Sequence, residues 1–75
     1  MNESYFVQWV NSEGMKQVPA LVNGCQSFEE AAVWAVENDR PQWATGKTRF
    51  IVHRGQTGDP ETPRAEFTIA SVTAV

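Results

Sequence analysis

Hydrophobic positions change period along this chain, and the changes mark its elements. Tyr5-Phe6-Val7-Gln8-Trp9-Val10 is filled with aromatic and β-branched residues and predicts a strand. Asn11-Ser12-Glu13-Gly14 predicts a turn, with Gly14 suited to positive φ. Met15 to Val22 reads as a return strand. Pro19 has no N–H to give a ladder, so this strand lies at an edge or breaks there. After a second turn at Asn23-Gly24 the period becomes helical. Ser27 to Asn38 carries an apolar stripe of Phe28, Ala31, Ala32, Ala35 and Val36. Ser27 followed by Glu30 is a capping box, Glu29 and Glu30 complement the positive helix end, and Pro41 enforces the stop.

Beyond the connector Gln42 to Lys47 the period returns to two. Thr48 to Arg54 predicts a third strand, with Phe50 and Val52 on one face and Arg49, Ile51 and His53 on the other. Gly55 to Arg64 reads as a polar hairpin loop. Ala65 to Thr73 predicts a last strand, with Phe67 and Ile69 sharing a face. The expected fold is a single α+β domain over residues 1–75, β-β-α-β-β, a small antiparallel sheet with one helix packed on one face. Both faces of the first strand are apolar, so the pattern leaves open which face the helix covers.

A 75-residue chain has a thin core, and this one lacks a staple. One cysteine, Cys25, and one histidine, His53, make neither an internal disulfide nor a four-ligand zinc site. Three Trp, four Phe and one Tyr must supply the packing. The start carries no basic, apolar leader, and no run reaches the ~18 residues of a membrane span, so a cytoplasmic protein is expected.

Net charge is −3 and uneven. Residues 1–39 hold one base, Lys16, against six acids; residues 40–64 hold five bases against two acids. The acidic whole argues against general nucleic-acid binding. Gly46-Lys47-Thr48 imitates the end of a phosphate-binding loop, but Pro41 stands where its first glycine belongs and a strand follows where a helix belongs. Cys25 and His53 have no third group to orient them as nucleophile and base. The reading is therefore not an enzyme, with no cofactor, metal or small-molecule substrate.

Trp34 stands out because it lies off the apolar stripe, beside Glu30 and Glu37. A large aromatic flanked by carboxylates on an outward face suits a protein partner. The candidate protein-binding residues are Trp34, Glu30, Glu37, Asp39, Arg40 and Trp43. The rival reading is a nucleic-acid contact through Lys47, Arg49, His53 and Arg54. A third is a homodimer that buries Ile51, Ala70 and Val72 of the uncovered sheet face.

In size, acidity and element order, with the helix start Ser27-Phe28-Glu29-Glu30-Ala31, the chain resembles several small anti-CRISPR proteins of phages and mobile elements. The resemblance implies a stoichiometric inhibitor that docks on a CRISPR effector complex, itself nucleic-acid-binding, and blocks target DNA binding.

Overall fold

The computed structural model describes residues 4–55 and 62–73. Its elements are β1 (Tyr5–Val10), β2 (Ala20–Val22), α1 (Phe28–Asn38), β3 (Arg49–Arg54), β4 (Arg64–Thr68) and α2 (Ile69–Thr73). The strands form one antiparallel sheet in the order β2-β1-β3-β4. This is the α+β architecture that the periodicity predicts, with a second short helix added at the end. Most of the loop expected at Gly55 to Arg64 falls outside the described residues.

Register decides which face the helix covers. Tyr5 opposes Arg54, Val7 opposes Val52 and Trp9 opposes Phe50, so these residues share one face. Tyr5, Val7, Trp9, Phe50 and Val52 are buried there with Ala31, Ala32, Ala35 and Val36 of α1. Four small side chains let the helix backbone come close to the sheet, and the aromatics fill the space beneath it. Trp9 lies 4.7 Å from Phe50, and Phe50 lies 5.7 Å from Phe67, between ring centroids. Tyr5 meets Phe28 edge to face at 5.6 Å. Phe6, Gln8 and Val10 with Arg49, Ile51 and His53 form the opposite face, which no helix covers.

Two segments differ from the sequence expectation. The return strand from Met15 shrinks to three residues, β2, because Pro19 breaks the ladder. Upstream of it a single bridge, Val10 to Lys16, the Gln17 N–H to Trp9 carbonyl bond at 2.7 Å and a bond from Gln8 Nε2 to the Gln17 carbonyl hold the segment to β1. The turn between them forms as expected: Gly14 sits at φ 83°, and Asn11 Oδ1 accepts the N–H groups of Glu13 and Met15, each at 2.9 Å.

The final strand ends at Thr68 instead of running to Thr73. Thr68 and Ser71 form a reciprocal cap: Ser71 N–H donates to Thr68 Oγ1 and Thr68 N–H donates to Ser71 Oγ, each at 3.1 Å. The first N–H groups of α2 are satisfied by the connector, Ile69 to the Thr48 carbonyl and Ala70 to the Gly46 carbonyl. A helix start needs such partners for its orphan donors. Ile69 thereby points into the core, buried, while Ala70 and Val72 belong to α2 and not to the uncovered sheet face. The homodimer surface expected from Ile51, Ala70 and Val72 is therefore not one surface.

Candidate functional site

The helix start is the one the sequence specifies. Ser27, in extended backbone, accepts the Glu30 N–H on Oγ at 3.1 Å, a cap that contributes about 1 kcal/mol. With the alanine stripe fixed against the sheet, Glu30, Val33, Trp34 and Glu37 must fall on the outer side, spaced as i, i+3, i+4 and i+7. Trp34 is 39% exposed and Val33 is 43% exposed. Glu30 and Glu37 are exposed and form no ion pair with a described residue. The outer face of α1 is thus an apolar pair bracketed by two exposed carboxylates. Val33 was not among the residues expected there, although the same helical projection that singles out Trp34 also turns Val33 outward.

The residues expected to extend this face beyond the helix end separate. Asp39 is the C-cap and is half-buried, its Oδ2 accepting the indole N–H of Trp9 at 3.2 Å. A carboxylate is unfavourable at the negative end of a helix. Here it satisfies a buried indole donor, so Asp39 fastens the end of α1 to the sheet. Arg40 lies outside the last helical turn, exposed. Trp43 is exposed, but it lines a different concavity of about 760 Å³, at the sheet end, with Glu13, Lys47, Thr48 and Arg49 among its other walls. No ring contact joins Trp43 to Trp34 among the described residues.

The basic set of the rival reading separates as well. Arg49 and His53 lie on the uncovered face, Arg54 shares the face of Phe50 and Val52, and Lys47 precedes the strand in the connector. His53 is buried, so it is not presented as a contact side chain. Its Nε2 lies 3.3 Å from Gln8 Oε1, and Gln8 Nε2 donates to the Gln17 carbonyl at 3.1 Å. Since Gln8 offers its oxygen, the neutral imidazole donates from Nε2. The chain of bonds ties β3 through β1 to the segment before β2.

Burial, then the positive charges of Arg64 and Lys16, push the His53 pKa below its ordinary 6.5. Arg49, Glu66 and Gln8 are the other charged or polar groups of this face near it. A base with a depressed folded pKa stabilises the fold fully above the unfolded value and loses that contribution as the pH falls through the folded value. Melting temperature should therefore fall as the pH drops below about 6.5, before the carboxylate range is reached. His53→Gln should flatten that slope in thermal melts followed by circular dichroism; an unchanged slope would show that another group carries it.

Cys25 is buried in the main core under the covered face. Burial, then Glu30, push its thiol pKa up, so it is a protonated filler and not an activated nucleophile. The sheet separates it from His53. Among the described residues no three His, Cys, Asp or Glu side chains gather closely enough to hold a metal ion, and no helix is long and apolar enough to cross a membrane. Comparison with protein-family models, with curated proteins and with solved structures gave no match.

Proposed function

We propose that this chain is a non-catalytic protein-binding domain whose contact surface is the outer face of α1. The observation that carries the reading is the combination of exposed Trp34 and Val33 with the exposed carboxylates Glu30 and Glu37, which form no ion pair among the described residues, on one short, rigidly seated helix. The indole and the valine supply area to be desolvated, and the carboxylates select a basic partner and speed its encounter. The helix is held by its N-cap, by the Trp9–Asp39 bond and by the alanine contact, so little ordering is lost on binding.

The resemblance to small anti-CRISPR proteins names the partner to try first, a CRISPR effector complex. Such a complex holds its nucleic acid in a positively charged channel, a surface that an acidic helix complements. In this form of the proposal the chain is a stoichiometric inhibitor that blocks target DNA binding.

A photo-crosslinking amino acid in place of Val33 tests the surface. It should capture one protein, and the same probe at Val18, which is 88% exposed on the β1–β2 hairpin, should not. A purified effector complex then tests the identity, by target DNA binding at rising ratios of this chain. Equal capture from both positions, or none from position 33, overturns the assignment of the surface. Undiminished DNA binding overturns the CRISPR form alone.

A further inference from the structure

The uncovered sheet face carries a charge of the opposite sign to the helix face, and it comes from residues far apart in sequence. Arg49 opposes Val10 across the β1–β3 ladder, and Lys16 bridges Val10 from the other side. Arg64 opposes His53, and Glu66 opposes Ile51. Antiparallel partners share a face, so Lys16, Arg49 and Arg64 all rise from the same side. Together with Val10, Ile51 and Glu66 they line a concavity of about 440 Å³. Its apolar floor is the half-buried Ile51, with an edge of the buried Val10.

The three cations are lightly engaged among the described residues. Lys16 and Arg64 form no ion pair with a described residue, and Arg49 meets Glu66 at 3.5 Å with both side chains more than half exposed. A solvent-screened pair of that kind contributes little, so an incoming carboxylate can replace Glu66 at small cost. Face-to-face pairing of two copies across this surface would set these cations against one another and is disfavoured. Nucleic acid is disfavoured for another reason: no aromatic side chain lines the concavity to stack a base, one wall is a carboxylate, and the whole chain is acidic.

We infer that this concavity is a second docking site, one that takes an acidic protein segment in which carboxylates flank an aliphatic side chain. The aliphatic group seats on Ile51 beside the edge of Val10, and the flanking carboxylates meet Arg49 and Arg64 with Lys16 at the rim. The inference does not rest on the α1 surface, which lies on the opposite side of the sheet. It makes the domain two-sided, with a basic partner on the helix and an acidic one on the sheet.

The test uses the full chain and an acetylated peptide that alternates glutamate with valine and leucine. Amide and ring resonances are followed by NMR at low salt. Saturable shifts are expected at Val10, Ile51 and Arg64, and the His53 titration should move upward in the bound state, since added carboxylates offset Lys16 and Arg64. Arg49→Glu and Arg64→Glu, both at exposed positions, should each weaken binding at least tenfold with near-ultraviolet circular dichroism unchanged. Trp34→Ala should leave peptide binding as it was, which separates this site from the helix face. No saturation at millimolar peptide overturns the inference. So does tighter binding of a short oligothymidylate at the same amides, or a shift of those amides with protein concentration alone.

Discussion

Phe50→Ala should destabilise the domain by about 3–5 kcal/mol, a large share of its total stability. Phe50 is fully buried beneath the helix, with its ring between those of Trp9 and Phe67. Truncating a buried Phe costs about 3–5 kcal/mol, part transfer and part cavity. A domain of 75 residues has a total stability of about 4–11 kcal/mol at ordinary values per residue. The loss therefore removes between about a quarter and all of the margin. Each kcal/mol lowers the melting temperature by ~4–8 °C in domains of this size, so a fall of at least ~12 °C is expected. Urea titration should show a lower midpoint with the slope retained wherever folded protein remains. Phe50→Leu should keep more of the stability. A loss under about 1 kcal/mol for the alanine variant would mean that the core does not have this centre.

Trp34→Ala should behave in the opposite way. The indole is already 39% exposed, so its removal takes away only part of a side-chain burial, and alanine is the better helix former. The melting temperature should fall by no more than ~4–8 °C, the equivalent of about 1 kcal/mol. Binding to the partner captured through position 33 should weaken by about 2 kcal/mol or more, roughly thirtyfold, because a central tryptophan enclosed on binding carries an energy of that size. Calorimetric titration reads the affinity, and a thermal melt reads the stability. A variant that melts far lower yet binds as before would make Trp34 part of the core and remove α1 as the contact surface.

The helix was legible in the sequence because four local signals agree there: Ser27, Glu30, the alanine stripe and Pro41. The central strands were legible for the same kind of reason, a run of aromatic and β-branched residues between turn signals. Alternation misled at the end of the chain. Phe67 and Ile69 do face the same core, but Ile69 reaches it from a helix that the Thr68–Ser71 cap starts. A threonine followed three residues later by serine was the available signal, and it is weaker than the glutamate form. The covered face was not legible, because Phe6 and Val10 are as apolar as Val7 and Trp9. Register with β3 resolves it, by placing Gln8 and His53 on the side away from α1.

Charge was the least legible property of the surface. Along the chain Lys16 belongs to the acidic part, and Arg54 belongs to the basic part. Folding moves Lys16 into a group with Arg49 and Arg64 and sets Arg54 on the other side of the sheet. Linear charge blocks predict a surface only when neighbours in sequence stay neighbours in space, and an antiparallel sheet breaks that condition at every turn. The candidate protein-binding set divided for a related reason. Trp34, Glu30 and Glu37 are joined by helical geometry, whereas Asp39, Arg40 and Trp43 follow a connector whose path no periodicity describes.

The shortness of β2 has a consequence for solubility. Its outer rim offers a neighbouring molecule at most three residues of unpaired backbone, and Pro19 at its entrance contributes no donor. Met15, Val18 and Leu21 stand exposed along the same stretch, a composition that in a longer, flatter ribbon would invite stacking into fibrils. One imino acid thus works as a gatekeeper: by cutting the ribbon short it limits the backbone that a neighbouring molecule could pair with along this greasy margin.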